Sequence, residues 1–132
     1  MPRSVSGNYD LKPGLTEVAL ESYKSKLFDM RLVMKTSDKD LQAQAKVFKA
    51  FCDPKRLAIL EQLRSGEKCA CQIQAALELT QSGLSYHMKI LCDSGVVVSR
   101  QEGKWTHYRM SAVGSAEATS LLLKITTPDR DM

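Results

Sequence analysis

Two cysteines, Cys69 and Cys71, stand one residue apart in the stretch GEKCACQIQAAL, where an apolar helical pattern begins. Residues i and i+2 of a regular helix point about 200° apart, so both thiols can reach one ion only if Cys69 lies outside the helix. Gly66 is a natural end for the preceding helix, and the polar Glu67-Lys68 follows it. We therefore expect Cys69 at or before the helix cap and Cys71 in the first turn. A helix N-terminus favours the thiolate, which is the form of cysteine that binds metal.

The chemistry expected of this pair is soft-metal binding, because paired thiolates select thiophilic ions over magnesium or calcium. Cys52 and Cys92 both end apolar helical segments, and we interpret them mainly as core residues. Each is still a candidate third ligand, as are a thiol of a second subunit and an exogenous thiol. The alternative is a redox switch in which Cys69 is oxidised against another cysteine.

The composition is that of one compact domain. The chain has 132 residues, 43% of them hydrophobic, and its net charge of +4 mildly favours polyanions as partners. No apolar run approaches the roughly 18 residues of a membrane span, and the stretch MPRSVSGNYDLKPG lacks the apolar centre of a signal peptide. We expect a cytoplasmic protein without a membrane partner, whose cysteines do not form a disulfide framework.

The segment TQSGLSYHMKIL has the pattern of a helix capped by Thr80, and it follows a short helix across a tight turn, as in a helix-turn-helix. One face is expected to pack inward: Leu84, His87, Met88 and Leu91. Polar side chains form the opposite face: Gln81, Ser82, Ser85, Tyr86 and Lys89. Such groups bond base edges and phosphates, so this face is suited to double-stranded DNA. A polar face by itself is equally compatible with a structural module that contacts protein. His87 is expected to be a buried histidine rather than a metal ligand.

After this helix the pattern changes to period 2, and VVVSRQEGKWTHYRM predicts a β-hairpin around the turn QEGK. Arg100 and Lys104 lie near its tip, where positive charge can approach the DNA backbone or minor groove. Trp105 and Tyr108 are expected to pack on the sheet rather than to stack on bases.

Breaks in these patterns divide the chain into four parts. We predict a flexible arm over residues 1–14 and a helix over residues 15–36 that serves dimerisation. Residues 37–126 are expected to form the DNA-binding domain, ending in a second dimerisation helix from about Ala112 to Ile125, and residues 127–132 a flexible tail. Two apolar helical stripes in addition to the helix-turn-helix core are more than one small core can bury, which favours a homodimer.

Three stretches together resemble the ArsR/SmtB family of small repressors: FKAFCDPKRLAILEQLRSGEKCACQI, TQSGLSYHMKIL followed by CDSGVV, and RQEGKWTHY. The resemblance covers roughly residues 41–125. It implies a mainly α fold with a small β-hairpin, a homodimeric winged helix-turn-helix. It also implies a transcriptional repressor that leaves its DNA operator when arsenite or antimonite, or cadmium or lead, binds cysteine thiolates as the inducer. No cofactor is required.

The resemblance also assigns residues. It puts Gln81, Ser82, Ser85 and Tyr86 at DNA-contacting positions, although some relatives have histidine where this chain has Tyr86, and it matches Arg100, Gly103 and Tyr108 to the wing. The CAC stretch matches the C-x-C core of the family's arsenic, antimony, cadmium or lead site, and Gln74 stands where some relatives have a further cysteine. A second family site, built from Asp and His on the last helix, is excluded because SAVGSAEATS contains neither.

Enzymatic function is not expected. A thiol reductase needs a C-x-x-C motif or a nucleophilic cysteine in an anion loop, and the chain has neither. The expected partners are an operator duplex and a second copy of the chain, with no small organic substrate. Metal sensing and redox sensing both stay open at this point.

Overall fold

The computed structural model describes residues 37–129, which form a mainly α-helical fold with a small antiparallel sheet. The elements in chain order are α1 (Asp38–Lys49), α2 (Pro54–Leu63), β1 (Lys68–Cys69), α3 (Ala70–Leu77), α4 (Gln81–Asp93), β2 (Val97–Glu102), β3 (Trp105–Met110) and α5 (Ala112–Thr126). The predicted fold class of helices with a β-hairpin is confirmed. The predicted arm over residues 1–14, the helix over residues 15–36 and the last three residues of the predicted tail lie outside the described residues.

Of the described residues, 37–122 form one compact unit, and the end of α5 from Leu123 belongs to a second unit. Among the described residues, every helix is too short or too polar to cross a lipid bilayer.

Side-chain caps define where the first helices begin. Ser37 caps α1 in a reciprocal capping box with Asp40, so this helix starts inside the polar stretch TSDKD. Asp53 caps α2 by accepting a hydrogen bond from the backbone N–H of Lys55 at 2.7 Å, and Pro54 occupies the first helical position.

The helix-turn-helix consists of α3 and α4. Glu78 ends α3 in the left-handed conformation, with φ at 51°, and the chain turns there toward α4. Thr80 caps α4 by accepting a hydrogen bond from Gly83 N–H at 3.0 Å, as predicted. After the end of α4, Gly95 has a φ of 83°, which is a conformation that favours glycine.

The sheet has three strands in the order β1-β3-β2. The hairpin pairs β2 with β3 from Val97↔Met110 to Glu102↔Trp105. The third strand, β1, pairs Lys68 with Tyr108 and Cys69 with His107. It was not predicted, because two residues are too few to give a period-2 pattern.

The core lies beneath α4 and the start of β2. Its large, fully buried side chains are Ile59, Ile73, Met88, Leu91 and Val97. The predicted inward face of α4 is confirmed in full, including His87. Leu57 of α2 is half exposed, because the buried stripe of that helix runs through Arg56, Ile59 and Leu63.

The start of α5 packs closely over the turn that joins α4 to β2. A Cβ built on Gly114 would overlap the carbonyl oxygen of Gly95. Only glycine fits at this contact, which sets the position of the start of α5 against the turn after α4.

Candidate functional site

The outward face of α4 is accessible. All five polar residues predicted for DNA contact are exposed: Gln81, Ser82, Ser85, Tyr86 and Lys89. Tyr86 is 60% exposed, although it is the largest of them. The lysine forms an exposed ion pair with Asp93 one turn later, at 3.1 Å. This pair can be exchanged for a phosphate contact at low cost, because exposed i,i+4 pairs contribute only about 0.3–0.5 kcal/mol.

A buried polar network fixes the inner face of the same helix. Arg56 is only 5% exposed, and its guanidinium donates to the carbonyl oxygen of Lys49 through Nε at 3.2 Å and through Nη2 at 3.0 Å. Its Nη1 lies 3.0 Å from Nδ1 of His87. Because an arginine can only donate, Nδ1 must be the unprotonated acceptor nitrogen. The network joins the end of α1 and the start of α2 to the middle of α4.

Burial disfavours the charged form of His87. Its pKa is lowered, first by burial and then by the positive charges of Arg56 and Lys55, while the Asp53 carboxylate acts in the opposite direction. The imidazole ring also packs edge-on against the Tyr86 ring, with centroids 5.2 Å apart. The buried network therefore supports one of the exposed residues predicted to contact DNA.

The cysteine pair has the geometry that its spacing predicted. Cys69 is the N-cap of α3 with extended backbone, and Cys71 is the second residue of that helix. The Sγ of Cys71 donates to the Sγ of Cys69 at 2.8 Å. The Gln72 side chain completes the cap by accepting the backbone N–H of Cys69 at 2.8 Å. Both sulfurs are thus adjacent at a helix N-terminus, with Cys69 buried and Cys71 exposed.

The two thiols differ in acidity. The pKa of Cys69 is lowered, chiefly by the hydrogen bond from the Cys71 thiol and also by the backbone N–H groups of Cys71 and Gln72. The pKa of Cys71 is raised, chiefly because its proton is held in that hydrogen bond. Cys69, at the cap position, is therefore the more acidic of the two thiols.

No third ligand joins the pair within residues 37–129, where no three His, Cys, Asp or Glu side chains are grouped to hold a metal ion. Cys52 was interpreted as a core residue, and this is wrong: it is exposed after the end of α1, where its Sγ donates to the carbonyl oxygen of Phe48 at 3.2 Å. Cys92 does pack against the core, and burial raises the pKa of its thiol. Neither is brought to the pair in one copy of the chain.

In the wing, Arg100 forms ion pairs and Lys104 lies over an aromatic ring. Arg100 binds Glu67 through two parallel hydrogen bonds of 2.7 and 2.9 Å, and its Nη1 binds Glu102 at 2.9 Å. Lys104 lies over the Trp105 ring, 5.4 Å from its centroid. The tryptophan is half exposed at the end of the hairpin, where it pairs with Glu102 across the two strands.

Tyr108, three residues further along β3, packs against the core.

The sequence did not reveal the Arg56–His87 network or the Glu67–Arg100 pair. Their partners are 31 and 33 residues apart in the chain, so no local periodicity links them.

Comparison with protein families gives a match to the model described as "Bacterial regulatory protein, arsR family" over residues 53–99. The match spans α2, the cysteine pair and the whole of α4, and it ends one residue before Arg100.

Known relatives agree with this match. The chain is similar to an arsenical resistance operon repressor of Bacillus subtilis (strain 168), with 38% identity over 77 residues that make up 58% of this chain and 73% of that protein. It is also similar to an arsenical resistance operon repressor of Escherichia coli (strain K12), with 41% identity over 66 residues, 49% of this chain and 56% of that protein.

Among solved structures, the fold is similar to a homodimeric winged helix-turn-helix DNA-binding domain from Mycobacterium bovis. The TM-score is 0.55 at 25% sequence identity, over 76% of this chain and 98% of that chain. This likeness confirms the predicted winged helix-turn-helix, with α3 and α4 as the helix pair and β2–β3 as the wing.

Proposed function

The chain belongs to the ArsR family of bacterial regulatory proteins, and from that premise we propose that it represses transcription until a thiophilic metal or metalloid binds Cys69 and Cys71. As a member of this family it is a DNA-binding transcriptional regulator and not an enzyme. The observation that carries the inducer proposal is the adjacency of two sulfurs, 2.8 Å apart, at the cap of the helix before α4. The arsenical resistance repressors named above support it.

In this proposal α4 enters the major groove of the operator. Gln81, Ser82 and Ser85 present short polar groups to base edges or phosphates, and Tyr86 and Lys89 contact the backbone. The exposure of all five side chains supports this assignment, since none has to leave the core to reach DNA. Arg100 and Lys104 of the wing add positive charge toward the neighbouring phosphates.

The inducer chemistry fits the donor set. Each thiol displaces one hydroxyl of arsenous acid or its antimony analogue, forms one bond from sulfur to the metalloid and releases one water, with no change of oxidation state. Cadmium or lead would instead be bound by two thiolates after both protons leave. A third sulfur, from Cys52 or Cys92 of a second copy or from an exogenous thiol, would complete the site.

An ion held by both thiolates would join the cap residue of α3 to the first turn of that helix. Because α3 packs against α4, a shift of this cap would act on the helix that is proposed to enter the major groove. The ion would then bind two arrangements of the DNA-binding unit with different affinity, which regulation requires.

We assign the second subunit to an apolar groove beside α5. The groove has a volume of about 450 Å³ and opens between α1 and α5, with Phe51 and Leu122 among its apolar lining. Leu122 is 49% exposed there, which is high for a large apolar side chain. A second copy would cover this surface and present two recognition helices to two half-sites.

The test is DNA binding measured by fluorescence anisotropy. The duplex is selected for binding to the wild-type protein from a random-sequence pool. We expect arsenite, antimonite, cadmium or lead to weaken binding about 5- to 150-fold. The C69S/C71S double variant is expected to bind DNA normally and to ignore these ions. Cys52→Ser and Cys92→Ser, measured beside it, test whether either cysteine supplies the third sulfur. Loss of DNA binding in the double variant would instead assign the pair to folding.

A redox-sensing repressor of the same fold is the second candidate, favoured by the short sulfur–sulfur distance and the lowered pKa of Cys69. Two thiols would pass two electrons and two protons to a peroxide, which yields a disulfide and two waters. Mass spectrometry after peroxide treatment separates the two candidates. A loss of two hydrogens between Cys69 and Cys71 that accompanies DNA release, with no response to arsenite, would favour redox sensing.

A further inference from the structure

All three nitrogens of the Arg100 guanidinium face carboxylates. Glu67 accepts from Nε and Nη2, and Glu102 accepts from Nη1. The two parallel bonds to Glu67 form the planar fork that gives arginine–carboxylate pairs their directionality. In this arrangement the charge predicted for phosphate contact is already matched by two acidic groups.

Glu67 lies in the segment that leads into the cysteine pair. It is two residues before Cys69, which is at once the end of β1 and the cap of α3. Across the sheet, Cys69 pairs with His107, and His107 pairs with Arg100. Paired residues on neighbouring strands share a face, so the cap residue and the wing arginine belong to one cross-strand row.

A phosphate can compete for this arginine. The pair is exposed, with Arg100 at 49% and Glu67 at 31% side-chain exposure, and exposed ion pairs contribute only about 0–1 kcal/mol. The guanidinium therefore has two arrangements of similar free energy, one on Glu67 and one on DNA. A small restraint on Glu67 is enough to change the populations of these two arrangements.

We propose that Glu67 is a positioning residue that couples the cysteine pair to the wing. When Cys69 and Cys71 hold an ion, the junction between β1 and α3 is restrained, and the Glu67 carboxylate is kept against Arg100. One positive charge is thereby withdrawn from the DNA. When the ion is absent, Arg100 exchanges Glu67 for a phosphate. This inference rests on the proposed function, since it concerns how the same thiol site acts on DNA.

The experiment compares Glu67→Gln with Glu102→Gln, because each removes one carboxylate from the same guanidinium and only Glu67 adjoins the cysteine pair. Anisotropy titrations use the selected duplex at several salt concentrations, with and without arsenite. Without arsenite both variants are expected to bind DNA up to about fivefold more tightly, because Arg100 no longer has to leave that carboxylate for the phosphate. They should keep the wild-type salt slope, because the phosphate contact is made in all three proteins. Only Glu67→Gln is expected to reduce the arsenite-dependent fold-change, by about two- to fivefold.

A double-mutant cycle with Arg100→Ala tests whether Glu67 acts through Arg100. In the Arg100→Ala background, Glu67→Gln should change neither affinity nor the arsenite response. Three results would overturn the coupling: a wild-type arsenite fold-change in Glu67→Gln, an equal reduction in Glu102→Gln, or an effect of Glu67→Gln that persists without Arg100. If the wild-type protein itself selects no duplex or ignores arsenite, the proposed function fails and the coupling fails with it. A normal wild-type response beside any of the three results overturns the coupling alone.

Discussion

Replacing Arg56 tests whether its buried hydrogen bonds to Lys49 and His87 hold α4, the helix proposed to read DNA, in place. Arg56→Met keeps most of the aliphatic stem and removes the guanidinium, which leaves the carbonyl oxygen of Lys49 and the Nδ1 of His87 without their donors. Each buried polar group left without a partner costs about 1–3 kcal/mol. The methionine offsets part of this, because it does not have to be transferred from water as a charge. We expect a net loss of about 2–4 kcal/mol in the free energy of unfolding.

Urea denaturation followed by circular dichroism at 222 nm measures this loss by linear extrapolation. Wild type and variants are compared at the same protein concentration, since unfolding of a dimer depends on it. Arg56→Lys should be intermediate, because one ammonium cannot reproduce the planar fork that serves both acceptors.

The decisive comparison is a double-mutant cycle with His87→Leu. Because the leucine has no unpaired nitrogen, part of the loss in Arg56→Met should be recovered in the double variant, with a coupling of about 0.5–3 kcal/mol. Strictly additive effects of the two substitutions would refute the network as the source of the stability. We also expect weaker DNA binding in Arg56→Met, because the His87 ring supports the Tyr86 ring.

Three further predictions concern packing, pH and DNA contacts. Gly114→Ala should destabilise the fold by about 1–3 kcal/mol in urea titrations, because the added Cβ would overlap the backbone at Gly95 and force it to shift. The control is Ser115→Ala, one residue later on the exposed side of the helix, which should be nearly neutral. Burial lowers the pKa of His87 below its value in the unfolded chain. The unfolded chain therefore binds more protons, and the free energy of unfolding should fall as the pH drops from about 7 through the unfolded pKa of about 6.5. His87→Asn, whose amide oxygen can accept the same donor, should remove this part of the pH dependence of unfolding. In anisotropy titrations Lys89→Ala should weaken binding to every duplex and reduce the salt slope by about 0.9, while Gln81→Ala should lose about 1–3 kcal/mol of discrimination at one base pair and keep its salt slope.

Local signals in the sequence were sufficient for the helix-turn-helix. Hydroxyl and carboxylate caps and glycines at helix ends place α2 and α4 correctly, and the 3.6-residue period separates the inward and outward faces of α4. The cap position of Cys69 also follows from local rules, since Gly66 ends one helix and leaves room for two residues before the next. These features depend on neighbours within four residues.

Features that depend on distant partners were not predictable. The strand β1 exists because Lys68 and Cys69 find the free edge of β3, and nothing in their own side chains requires it. The same applies to Arg100, whose position near the hairpin tip suggested a free cation and whose partner Glu67 comes from before the helix-turn-helix. Cys52 shows the limit of a statistical preference, because the general tendency of cysteine to be buried did not apply to a residue just past a helix end.

The position of Cys69 explains why two cysteines with such short spacing can serve regulation. One residue ends β1, which pairs with β3 of the wing, and also caps α3, which precedes α4 by a turn at Glu78. In the proposed mechanism, movement of its side chain would act on the sheet that carries Arg100 and on the helix that precedes α4. A metal site inside a helix would lack the first of these links, because its ligands would form no strand pairs. Thiols at the junction between a strand and a helix would let one ligand act on both elements that are proposed to contact DNA.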